Sequence, residues 1–125
     1  MKHTDILYFS KAHTWILLEN TTGTIGITAF AQSELGEIVY VDLPAVGDTF
    51  EQDEVFGSVE ALKTVSDLFM PVSGEVVAIN ETLVSHPKLV NEKPFKEGWM
   101  IKIQITNLDE LSNLLSQDEY QNFIH

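Results

Sequence analysis

One primary amine stands out as the group in this sequence best placed to do chemistry. Lys63 lies inside the stretch from Glu54 to Gly74, EVFGSVEALKTVSDLFMPVSG, and it is the only cation between Lys11 and Lys88. Acids surround it at Glu54, Glu60 and Asp67. An amine that forms Schiff bases needs a lowered pKa, obtained by desolvation or a neighbouring cation. Nearby carboxylates do the reverse and favour the charged form. The pattern argues against a lysine nucleophile and for an amine presented to an acylating enzyme, with an ordinary solvated surface lysine as the plain alternative.

Other chemistry has less to stand on. His3, His13, His86 and His125 show no metal-ligand spacing, and the chain has no cysteine for a thiolate site, a disulfide or a thiol nucleophile. No metal is expected, and sulfur chemistry would have to come from a cofactor. Ser58 and Ser66 have no nucleophile elbow and no histidine close by in sequence.

The elements that must position Lys63 read mainly as short strands. Val55–Val59 and Val65–Met70 are rich in β-formers and read as the two arms of a hairpin with the lysine at or beside its reversal. Upstream, Leu7–Phe9, Thr14–Glu19 and Thr24–Thr28 read as strands, the last two joined by a turn at Asn20–Gly23. Thr28 can cap a helix from Ala29 to Leu35, closed by Gly36 with a left-handed backbone. Glu37–Leu43 alternates as a half-buried strand ended by Pro44, and Glu75–Ile79 and Trp99–Ile105 add two more. Asn80–Gly98 reads as a loop carrying Lys88, Lys93 and Lys96. At the C-terminus, Asn107 with Glu110 and Ser116 with Glu119 have capping-box spacing, each before an apolar stripe. Turns ending in Gly47 and Gly74 suggest two similar half-units. The expected fold class is all-β with short helices, a small barrel or sandwich with a helical C-terminal segment.

Composition sets the outer bounds. A chain of 125 residues suits one domain spanning residues 1–125. Seven lysines and no arginine face 19 acids, for a net charge of −12, which repels nucleic acid and anionic membrane surfaces. No apolar run approaches the roughly 20 residues of a membrane span, and Met1–Ser10 lacks the apolar core of a secretory signal. A cytoplasmic monomer is expected, or a mitochondrial-matrix protein in a eukaryote.

On the residues His13-Thr14-Trp15, IGITAFAQSELGEIVYVDLPAVGD (Ile25–Asp48), VEALKTVSD (Val59–Asp67), PVSGEVVAIN (Pro71–Asn80), LVNEKPFKEGWMIKI (Leu89–Ile103) and LDEL from Leu108, the chain resembles the H proteins of the glycine cleavage system over essentially its whole length. The resemblance implies the barrel-sandwich hybrid of lipoyl and biotinyl domains, with lipoate in amide linkage on Lys63. It implies that Glu60, Gly47 and Gly74 serve recognition by a lipoate ligase or a lipoyl or octanoyl transferase. It also implies a non-catalytic shuttle: the arm takes an aminomethyl group from a pyridoxal-phosphate glycine decarboxylase, delivers it to an aminomethyltransferase, and is reoxidised by dihydrolipoamide dehydrogenase.

The departures fall where such an arm would rest. The family has Glu where this chain has Thr14, and often His where it has Glu34, while Asp67 is kept. These three residues are expected to line the arm's cleft. A carboxylate missing at Thr14 weakens the case for holding a protonated amine, with Glu34 able to compensate if it faces the same cleft. The alternative is an H-like relay that holds octanoyl or lipoyl groups for other lipoyl domains. A biotin carrier is disfavoured, because Leu62 and Thr64 stand where methionines flank a biotinyl lysine.

Overall fold

A computed structural model describes residues 6–124, so His3 and His125 lie outside the described residues. Two antiparallel sheets face one another across a shared core. The larger follows the order β1 (Ile6–Phe9), β2 (Thr14–Glu19), β3 (Thr22–Ile27), β9 (Ile101–Ile105), β8 (Gly74–Ile79), β5 (Thr49–Phe50). The smaller has β6 (Val55–Ala61) at its centre, flanked by β4 (Ile38–Asp42) and β7 (Val65–Phe69). Alternation in β9 is complete, with Ile101, Ile103 and Ile105 buried and Lys102 and Gln104 exposed. Those isoleucines join Ile16, Ile25 and Val76 of the same sheet and Ile38, Val41, Val59 and Leu68 of the other in one buried cluster. This burial of both inner faces is what drives the two sheets together.

Helix α1 (Ala29–Leu35) forms as its sequence suggests. The Thr28 side chain accepts from the Ala31 amide, and Gly36 closes the helix at φ 83°, ψ −156°, donating its N–H to the Gln32 carbonyl. The positive φ is as expected, but ψ is extended rather than left-handed helical. The Asn80–Gly98 loop contains two single turns, α2 (Thr82–Ser85) and α3 (Leu89–Glu92). Leu83 and Val90 hold them to the core, and the Asn91 side chain accepts from the Ile38 amide and donates to the Gly36 carbonyl.

Three local expectations need correction. Simple alternation fails in β4, where a bulge between Ile38 and Tyr40 leaves both Val39 and Tyr40 exposed. The turn between β2 and β3 is Asn20-Thr21 alone, with Gly23 already in the strand. The first C-terminal capping box does not form. Asn107 accepts from the Asp109 amide, but Glu110 reaches across to the backbone N–H and the hydroxyl of Ser73 at 2.7 and 3.0 Å. Leu108–Asn113 winds as a 3-10 helix instead, cut short because Leu115 turns extended to exchange both backbone hydrogen bonds with Phe9. The second box forms fully, with the Ser116 hydroxyl accepting from the Glu119 amide and the Glu119 carboxylate from the Ser116 amide, and it starts α4 (Gln117–Phe123).

Candidate functional site

The hairpin reversal is the tightest available. Glu60 pairs with Val65, and the Ala61 amide donates to the Thr64 carbonyl at 2.8 Å, which leaves Leu62 and Lys63 as the two loop residues. Neither has a positive φ, so this is not the mirror-image turn that Asn-Gly sequences prefer. Lys63 is exposed, and among the described residues it makes no ion pair. Leu62 beside it is 70% exposed. The amine therefore stands clear of the body on a backbone fixed from both sides.

Glu60 lies three residues before the amine, outward on β6, in a cross-strand row between exposed Tyr40 of β4 and exposed Val65 of β7. Gly47 and Gly74 sit elsewhere, Gly47 in the turn before β5 and Gly74 at the start of β8 in the larger sheet. Gly47 has φ 99° and donates its N–H to the Val76 carbonyl, and Gly74 pairs with Phe50. A Cβ on Gly74 would come within 2.7 Å of Ile103 Cδ1 and 2.8 Å of the Gln104 carbonyl oxygen. Both glycines thus have a backbone reason for being glycine, the positive φ at Gly47 and the close approach of β9 at Gly74.

Thr14, Glu34 and Asp67 do come together, lining one cleft of about 270 Å³ between β2, α1 and β7. Ile27, Val59 and Leu68 supply its apolar wall. Thr14 is 1% exposed. Its hydroxyl lies 2.7 Å from Ser10 Oγ and donates to the Phe69 carbonyl at 3.3 Å, while Ser10 Oγ also accepts from the Thr14 amide. A neutral, fully bonded hydroxyl therefore occupies this position, and the carboxylates facing the cleft are the exposed Glu34 and Asp67.

His13 completes the cleft and was not singled out by sequence reasoning. It adopts φ 69°, and its Nδ1 lies 2.8 Å from the Tyr120 hydroxyl, which is in turn 2.7 Å from Thr28 Oγ1. Phe30 and Phe123 pack on its ring at centroid distances of 5.1 and 5.9 Å. Burial holds the imidazole below its ordinary pKa of 6.5, and the charge of Glu34 pulls the other way. Burial likewise pushes the Tyr120 phenol up, against the hydrogen bond with Thr28. Tyr120 thereby ties α4 to the N-cap of α1 and to the cleft wall. The only available signal for His13 was its place beside Thr14-Trp15, since Tyr120 is 107 residues away.

Among the described residues no group of three or more histidines and acids is placed to hold a metal, and no helix is long and apolar enough to cross a membrane. Lys63 is the residue that could hold a covalent prosthetic group: exposed, unpaired and carried on a rigid reversal.

A barrel-sandwich hybrid with an exposed lysine at a hairpin tip defines the lipoyl-domain class of carrier folds. The family model for the glycine cleavage H-protein matches residues 7–125, and the chain belongs to that family. The glycine cleavage system H protein of Staphylococcus carnosus is 51% identical over 118 residues, 94% of each chain. That of Bacillus cereus is 52% identical over 114 residues, covering 91% of this chain and 90% of the relative. The crystal structure of a glycine cleavage system H protein from Mycobacterium marinum superposes with a TM-score of 0.86 at 35% identity, covering 93% of this chain and 94% of that one.

Proposed function

We propose that this protein is the lipoyl carrier of a glycine cleavage system, a single carrier domain with lipoate in amide linkage on Lys63. The observation that carries the reading is the unpaired Lys63 amine on the Leu62-Lys63 reversal, in a chain of this family. When bound, the group supplies a dithiolane whose sulfurs accept and release the aminomethyl group of glycine. The chain's part is tether and recognition: Lys63 fixes the point of attachment, so that a flexible arm meets successive active sites at high effective concentration. Glu60, outward and three residues away, is the acid a lipoate ligase or transferase would read beside the amine. Gly47 and Gly74 act on that recognition through the shape of the domain.

The partners are those the shuttle requires: glycine decarboxylase, aminomethyltransferase and dihydrolipoamide dehydrogenase, met in the cytoplasm, or in the mitochondrial matrix of a eukaryote. The protein catalyses no step itself. Glu34 and Asp67 face the cleft and would hold a cargo ammonium by charge-assisted hydrogen bonds, with Glu34 standing in for the acid that Thr14 lacks. The relay reading gains from one observation only, the neutral and fully bonded Thr14 hydroxyl.

Mass spectrometry of the lipoylated protein after incubation with glycine and a glycine decarboxylase separates the two. A gain of one aminomethyl group supports the shuttle, and lipoylation without that gain moves the assignment to the relay. Better loading by Thr14→Glu than by the parent would show that the missing carboxylate limits storage.

A further inference from the structure

The small sheet has two edges, β7 and β4, and the Leu62-Lys63 turn lies at its tip. Along β7 runs the acidic cleft. Along β4 runs a second groove, of about 430 Å³, between Ile38–Val39 and the Ser85–Leu89 segment. We infer that this groove is a resting site for an uncharged acyl arm carried by Lys63. The inference rests on the carrier reading above and adds to it a second place for the arm.

Ile38 is the register partner of Ala61, two residues before Lys63, so the groove wall lies level with the last strand residue of the amine-bearing hairpin. Its shape is built in: the β4 bulge leaves Val39 41% exposed, and the Asn91 side chain, by bonding the Ile38 amide and the Gly36 carbonyl, fixes the α2–α3 segment against this edge.

Chemistry then distinguishes the two edges. Apolar surface of Val39, Pro87 and Leu89 lines the groove, and its flanking charges Glu37 and Lys88 pair with one another at 3.5 Å, leaving Glu92 as its other acid. The cleft on the β7 edge instead offers Glu34 and Asp67, neither of them in an ion pair with a lysine among the described residues. An acyl chain in amide linkage is neutral and apolar, and gains by leaving water for an apolar surface. Its tether supplies the effective concentration, so a shallow groove suffices. An ammonium on the end of the same arm meets one such carboxylate there, Glu92, against the two of the cleft, and is drawn to the pair. The charge of the cargo thus selects the edge on which the arm lies.

The test compares uniformly 15N-labelled protein before and after octanoylation of Lys63 by an octanoyl transferase. Amide shifts at Val39, His86 and Leu89, beyond those of the Leu62–Val65 turn, are expected, together with NOEs from the octanoyl methylenes to the Val39 and Leu89 methyls. Octanoylated protein whose shifts stay within the turn, or appear instead at Ile27 and Ser66–Leu68, overturns the inference and leaves the carrier reading intact. A protein that takes up no octanoyl group, read as an unchanged intact mass, overturns the carrier reading and this inference with it.

Discussion

The Tyr120 hydroxyl lies 2.8 Å from His13 Nδ1, although the two residues are 107 positions apart. The same oxygen meets Thr28 Oγ1 at 2.7 Å, so one phenol joins the C-terminal helix, the N-cap of α1 and the cleft wall. Tyr120→Phe keeps the ring stacked on Phe9 at 4.7 Å and removes only these bonds. A loss of about 1–3 kcal/mol is expected, because buried Thr28 and half-buried His13 each lose a hydrogen bond. Urea unfolding of parent and variant measures it, and equal midpoints would show the contact to be idle.

His13 also sets a pH dependence. Its folded pKa is below 6.5, chiefly through burial, with Glu34 acting against that shift. The unfolded chain therefore binds more protons than the folded one in the window below 6.5. This contribution to stability is complete above pH 6.5 and is lost as pH falls through the folded value. Unfolding free energies across that window should fall more steeply for the parent than for His13→Gln. Parallel curves would mean that His13 titrates alike in both states.

Thr14 is the cleft residue whose substitution separates stability from charge. Thr14→Val keeps the volume but leaves Ser10 Oγ without its 2.7 Å partner in a buried site, at an expected cost of about 1–2 kcal/mol. Lipoylation at Lys63 should be unchanged once folded protein is selected. Thermal melts and intact masses of the two proteins report both quantities.

The amine-bearing hairpin was legible in the sequence because β-rich runs bracket a short reversal and a lone cation. Its arms are Val55–Ala61 and Val65–Phe69, within a residue or two of the runs read from composition. That Thr14, Glu34 and Asp67 share a cleft came from family resemblance, since no local pattern links residues so far apart. What stayed hidden is long-range. Glu110 carries a capping-box spacing yet binds Ser73, and Leu115 leaves a helical stripe to pair with Phe9. In both places a tertiary hydrogen bond outcompetes a local one.

Gly74 tests how the fold supports the site from a distance. Gly74→Ala places a methyl 2.7 Å from Ile103 Cδ1 and 2.8 Å from the Gln104 carbonyl oxygen. Overpacking between β8 and β9 should cost about 1–3 kcal/mol. Guanidinium titration gives the value. Because Lys63 lies in the other sheet, the folded fraction should still accept lipoate, and folded protein that refuses it would place Gly74 in the recognition surface itself.

In a lipoyl carrier of this fold the Lys63 nitrogen should be the single point of attachment, and peptide mass spectrometry after treatment with a lipoate ligase, lipoate and ATP measures this directly. The expected result is one lipoyl amide per chain, on the peptide containing Lys63, and none on Lys63→Arg. An adduct on another lysine, or none while the same ligase modifies a control lipoyl domain, would contradict it.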